Sequence, residues 1–300
     1  MLRLAILYDQ RISGRNDGNA LYVWAALKRM QEKRLLTIDH LIPNGDYDLF
    51  GNYDCWLDID WCEDGLVNAG LVPYKIPAVP SPRLGWMSDT HLDNGWRINR
   101  MKEFDIVFFA QKEAVNEFNS TNDDKKAIWL PHAVEPLAYP RIERPGKTYD
   151  VCFVGHVNSQ NRIDALDRLF KEFPNFYYGQ RLFEDAAQKY AESKIIFNNS
   201  MQDDLNMRTF ECMATGSFLL TSWNSTIEEF FKDGVHCAIY HSEEDMIEKA
   251  RYYIAHDEER EKIAQAGCEE VLKNHTIDCR VNVMLSEIKN FLKAGNLVEV

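Results

Sequence analysis

Apolar runs of strand length alternate along the whole chain with segments whose apolar residues recur at helical spacing, a pattern that predicts parallel α/β sheets. In the first half the strand-like runs are LRLAILY at 2–8, DCWLDID at 54–60, FDIVFFA at 104–110 and AIWLP at 127–131. Helical spacing is clearest over residues 20–31 and 112–118. The second half restarts the alternation with strands YDVCFVG (149–155) and NFYYG (175–179), then KIIFNNS and SFLLTS. Helices are predicted over 161–173, with Ile163, Leu166, Leu169 and Phe170 inward, and over 184–193. STIEEFFKDG and CAIYHS then lead into two charged helices, 243–256 and 258–274, and an amphipathic pattern over 280–295.

Between the halves lies EPLAYPRIERPGKTYD (135–150), with Pro136, Pro140, Pro145 and Gly146. Prolines at that density interrupt both helix and strand, so the interdomain linker is placed here. The expected organisation is a first domain over 1–140, a second over 141–279 and a final helix within 280–300 that packs back on the first. Two similar α/β halves imply a ligand in the cleft between them, facing the carboxyl ends of the strands.

The 300 residues, 45% of them hydrophobic, are enough for two ordinary domains. A net charge of −13 repels a phosphate backbone and speaks against a nucleic-acid partner. The seven cysteines are scattered, and none forms a C-x-x-C pair; Cys152 and Cys212 sit inside apolar segments, as buried thiols in a reducing compartment do. MLRLAILYD is too short for a signal peptide, and no apolar run reaches membrane-spanning length. The expected location is the cytoplasm.

Two stretches of the second half carry chemistry. CFVGHVNSQNR ends a strand at Val154 and turns through Gly155 toward a helix. A glycine there lets backbone approach a ligand, and the following helix N-terminus favours an anion such as a diphosphate. Arg162 is placed to add a bidentate clamp, and His156 to touch the same group. The turn lacks the later glycines of G-x-G-x-x-G and has no G-K-[ST], so it is neither a dinucleotide fingerprint nor a Walker loop. In DDLNMRTFECMATGSFLLTS (203–222) a short helix is predicted from about Leu205 to Gly216, with Met207, Phe210 and Ala214 inward. Asn206 and Arg208 fall in its first turn, where an anion is favoured. Glu211 follows one turn later, and its carboxylate suits a vicinal diol such as a ribose. The competing reading is an Arg208–Glu211 ion pair on a helix flank.

NMRTFECMATGSFLLTS, STIEEFFKDG and EEDMIEKARYYIAHDEEREKIAQAG together resemble the donor half of group-one glycosyltransferases of the GT-B fold. They are most similar to the spore-maturation-type (CgeB-like) branch. The similarity extends back through YDVCFVGHVNSQNR, FYYG and YAESKIIFNNS, and into WMSDTHLDN, FDIVFFAQKEAVNEF and WLPHAVEP, so it covers most of residues 80–275. It implies two Rossmann-like domains whose parallel sheets face each other across a cleft. The implied activity is metal-independent transfer of a sugar from a nucleoside diphosphate to an acceptor, with retention and no cofactor. An epimerase of the same fold, or a non-catalytic sugar-nucleotide-binding protein, are the alternatives. By this resemblance Glu211 is the acid that grips the ribose. Asp203 falls on the acid that touches the transferred sugar, with Asp204 a competing candidate. Arg162 and Arg208 fall where the family sets cations against the diphosphate.

The first half is then expected to supply the acceptor side. GWMSDTHLDNGW (85–96) offers Asp89 and His91 in a loop bracketed by Trp86 and Trp96. A histidine is the natural general base near neutral pH, a carboxylate can orient it, and aromatic walls suit a sugar ring. His132 is expected to be structural or to sit at a hinge. Asp58-x-Asp60 and the acids of DYD (46–48) have the spacing with which another transferase fold holds Mn²⁺, but in a chain with 47 acids such spacing arises by chance, and no metal is expected.

Overall fold

The computed structural model describes residues 1–7, 18–41, 53–59, 81–91, 94–143, 146–157 and 159–298. They form two compact units, residues 1–131 with 277–300, and residues 132–276.

The first unit is built on a six-stranded parallel sheet of order β2-β1-β3-β4-β5-β6. Its strands are β1 (Leu2–Leu7), β2 (Leu36–Leu41), β3 (Cys55–Ile59), β4 (Arg83–Met87), β5 (Ile106–Phe109) and β6 (Ile128–Trp129). Helices α1 (Asn19–Glu32), α2 (Asn94–Met101) and α3 (Lys112–Thr121) connect them. The last helix, α9 (Ile277–Val298), packs on α1, where Arg29 pairs with Asp278, and Arg280 Nε donates to the Pro131 carbonyl at 2.8 Å.

Two strands and one helix of this unit were not predicted. In β2 the polar Thr37, Asp39 and His40 break the apolar run, as an edge strand tolerates. In β4 a glycine interrupts it: Gly85 sits where a Cβ would come within 2.7 Å of Met101, so the close packing of α2 excludes a side chain. Residues 85–87 therefore belong to a strand rather than to a loop. Trp86 is a core residue, 1% exposed, with its indole N–H on the Leu130 carbonyl at 2.8 Å. It is not a wall of a sugar site.

The second unit has a five-stranded parallel sheet of order β11-β10-β9-β7-β8. The strands are β7 (Tyr149–Val154), β8 (Phe176–Gly179), β9 (Ser193–Asn198), β10 (Leu219–Ser222) and β11 (Ala238–Tyr240). The helices are α4 (Gln160–Glu172), α5 (Phe183–Ala191), α6 (Met207–Ala214), α7 (Glu243–Ala255) and α8 (Asp257–Asn274), with one 3₁₀ turn at Ile227–Glu229. Val151, Cys152, Phe153 and Val154 of β7, Ile195, Ile196 and Phe197 of β9 and Leu219 and Leu220 of β10 are all buried, the near-continuous apolar pattern of a sheet covered on both faces.

Two expectations for this unit are corrected. On α4 the buried residues are Arg162, Ala165 and Leu169, whereas Ile163 and Phe170 are exposed. The helix is turned so that Arg162 faces in beside Leu169, with Leu166 packed at the edge of the core, which leaves only Ile163 and Phe170 of the expected stripe outside. The proline-rich stretch 135–150 is also not the division between units, which falls after Pro131. Prolines stopped regular structure there, but the backbone is held: the Tyr139 N–H donates to the Glu135 carbonyl at 3.3 Å and the Thr148 N–H to the Glu192 carbonyl at 2.7 Å, and buried Tyr139 meets Phe183 edge-on.

Candidate functional site

In the second sheet β7 leads to β8 on one side, while β9 lies on the other. Between the carboxyl ends of β7 and β9 the strand order reverses, and in open α/β sheets ligands bind at that point. The residues there form a tied polar rim.

Gly155 follows β7 with φ 148°, a region open to glycine, and its N–H donates to the Gly179 carbonyl at 3.0 Å. A Cβ on Gly155 would overlap the Arg208 guanidinium, so glycine serves both the backbone turn and the close approach of this side chain. Arg208 stands in the first turn of α6. Asn206 caps that helix, its Oδ1 accepting from the Thr209 N–H at 3.4 Å. From there Arg208 reaches across the reversal point: Nε donates to the Val154 carbonyl at the end of β7 (2.7 Å), and Nη1 to Asn198 Oδ1 at the end of β9 (2.9 Å). The guanidinium carbon lies 4.6 Å from the centre of the Phe153 ring.

Arg162 is bound differently. Its Nε and Nη2 donate to the Asn199 carbonyl at 3.1 and 2.6 Å, and its Nη1 to the His156 carbonyl at 2.9 Å. It is a brace between the loops that follow β7 and β9, 6% exposed. Burial, reinforced by the charge of Arg208, lowers its pKa to about 10. Two guanidinium groups thus lie on one aromatic ring and oppose each other's charge, an arrangement that an anion would relieve.

The loop after β9 is held by residues the sequence did not single out. The Asn199 side chain donates to the Tyr240 hydroxyl at 2.8 Å, and the Ser200 N–H to Ser222 Oγ at 2.9 Å. The only sequence signal was the Asn-Asn-Ser run closing an apolar strand. Asp203 lies further along, in a left-handed turn (φ 64°), where its carboxylate accepts from the Ser225 N–H at 2.7 Å. Asp203 is exposed and Asp204 is buried. Glu211, half-buried on α6, and Arg208 both act on the buried phenol of Tyr190, whose pKa rises chiefly through burial. The structure therefore brings Gly155, Arg162, Asn206 and Arg208 to one rim, with Asp203 on the β10 side. The His156 side chain is exposed, and its carbonyl is the part tied to Arg162.

In the first unit Asp89 and His91 follow β4 at its carboxyl end. The intervening Thr90 is fixed by Gln111, whose Oε1 accepts from both its N–H (3.3 Å) and its hydroxyl (3.1 Å). Arg97 Nη1 donates to the Ser88 carbonyl at 3.3 Å and lies over Trp96. Asp89 is exposed in a left-handed conformation (φ 55°). The His91 ring is half-buried, and its Nδ1 has no hydrogen-bond partner among the described residues. His132 is buried. Asp58 is buried on β3 and paired with Arg100 at 3.1 Å, while Asp60 and residues 46–48 lie outside the described residues. Among the described residues no helix is long and apolar enough to cross a membrane.

Residues 146–286 match the model of a family described as glycosyl transferase-like. A search of proteins with curated function finds no match. Solved structures superpose over nearly the whole chain. HepE of Anabaena, in complex with UDP and glucose, has a TM-score of 0.65 at 10% identity, covering 97% of this chain and 100% of its own. Sucrose-phosphate synthase from Thermosynechococcus elongatus has a TM-score of 0.66 at 9% identity, covering 98% and 100%. AviGT4, a glycosyltransferase involved in avilamycin A biosynthesis, has a TM-score of 0.62 at 11% identity, covering 98% and 99%. The fold is GT-B.

Proposed function

We propose that the chain transfers a sugar from a nucleoside-diphosphate donor, and that the diphosphate lies at the carboxyl ends of β7 and β9 against Arg208. The observation that carries this reading is the guanidinium held across the strand-order reversal, against a glycine that leaves it room. Arg208, the charge of Arg162 behind it and the free N–H groups at the start of α6 would stabilise the departing diphosphate without a metal ion. Glu211 would grip the ribose, and Asp203 or Asp204 the transferred sugar. His91 would serve as the catalytic polar group with Asp89 near it, and transfer would proceed with retention. HepE structures hold UDP and UDP-glucose, which makes a uridine donor the first to try. The buried free thiols of Cys55, Cys152, Cys212, Cys237 and Cys268 fit a reducing, cytoplasmic setting.

The test is release of free UDP from UDP-glucose across a panel of sugar and peptide acceptors, with and without EDTA. Release that requires an acceptor and survives chelation is expected. An isomerised sugar nucleotide with no acceptor requirement would mark an epimerase. Loss of activity in EDTA, restored by Mn²⁺, would overturn the metal-independent reading.

A further inference from the structure

Asn198, the last residue of β9, is completely buried, and its amide is saturated. Its Oδ1 accepts from Arg208 Nη1 at 2.9 Å and from Asn206 Nδ2 at 3.1 Å. Its Nδ2 donates to Thr221 Oγ1 at 3.0 Å and to Thr209 Oγ1 at 3.3 Å. Those hydroxyls have other acceptors for their own protons: Thr221 donates to the Ser222 carbonyl, and Thr209 to Asn206 Oδ1, each at 3.4 Å. Only one orientation of the amide satisfies all four contacts, because a flip would turn its N–H groups onto the guanidinium. One side chain therefore ties β9, β10 and α6 together and aims its oxygen at Arg208.

An aspartate has nearly the same shape, and a carboxylate would hold a guanidinium more tightly than an amide does. It would also cancel the charge. We propose that Asn198 is a positioning residue that fixes Arg208 while leaving its positive charge uncompensated, and so makes the rim selective for a diphosphate over an uncharged nucleoside. The inference rests on the reading of Arg208 as the diphosphate contact.

The experiment measures binding of UDP, GDP and ADP, each beside its nucleoside, by calorimetry to the wild type and to Asn198→Asp, Asn198→Ser and Arg208→Ala. For the diphosphate that binds, Asn198→Asp should raise Kd about tenfold or more while the nucleoside Kd stays within about twofold, since hydrogen bonds to charged groups carry that much. Asn198→Ser, neutral but too short to reach the guanidinium, should lie between wild type and aspartate, and it carries the test should the aspartate fail to fold. Diphosphate and nucleoside weakening in parallel would make Asn198 merely structural. Unchanged diphosphate affinity in both Asn198 variants, beside a loss in Arg208→Ala, would overturn the positioning role and leave the donor site standing. Unchanged affinity in Arg208→Ala as well, or no diphosphate binding by the wild type, would bring down both.

Discussion

The carboxyl ends of the two sheets are built on different plans. In the second unit the side chains of the rim are tied in place: Arg208 bonds to a carbonyl and an amide, Arg162 to two carbonyls, and the Asn198 amide makes four contacts. In the first unit the loop backbone is tethered through Thr90 and Ser88, while Asp89 stands exposed and the Nδ1 of His91 has no partner among the described residues. A group that binds by fixed charge gains from being immobilised, because its orientation is set before the ligand arrives. A group that exchanges protons needs an open position. The contrast fits the proposed division, with donor binding at one rim and proton handling at the other.

The sharpest break in that comparison is His91→Ala. It should lower turnover by about a hundredfold or more while donor affinity is unchanged, as expected for a positioned acid–base group. Kinetics beside a binding titration checks this, and equal losses of stability and activity would make His91 a core residue. Next comes Glu211→Ala, which should weaken donor binding by about ten- to a hundredfold, matching a charged hydrogen bond of about 1.5–3 kcal/mol. Glu211→Gln should be milder, because the amide keeps one acceptor. A change confined to the melting temperature would make Glu211 a structural residue of the helix flank.

The smallest effect is expected at Asp105, at the other end of the first sheet. Burial pushes its carboxyl up, but bonds from Arg83 and Ser81 outweigh that and hold it below its ordinary 3.8. A carboxyl depressed on folding stabilises at neutral pH, and the contribution is lost as pH falls below the ordinary value toward the folded one. Asp105→Asn should therefore cost about 1 kcal/mol or less at pH 7, with the gap to wild type closing in acid. Thermal melts from pH 7 down to pH 2 check it, with donor affinity at pH 7 untouched.

The parts legible in the sequence were those that leave a periodic or conformational mark. Two parallel α/β sheets followed from alternating apolar runs, and Gly155 from the demands of a strand-to-helix turn. Edge strand β2 was missed because its polar residues hide the run, and β4 because Gly85 imitates a turn. Arg162 was found by position, but nothing in its spacing showed that a cation would be buried on backbone carbonyls. Asn198 left no trace, because a buried amide that joins two strands and a helix depends on tertiary neighbours alone. For the same reason the prolines of 135–150 resembled a linker: composition records where regular structure stops, not where a domain does.

The central claim is that Arg208 faces a diphosphate, and calorimetry of Arg208→Ala with UDP and with uridine tests it most directly. Loss of a charge-assisted contact predicts UDP affinity lower by about tenfold or more, with uridine affinity unchanged. Equal affinities of variant and wild type for both ligands, or an equal fall in both, would contradict it.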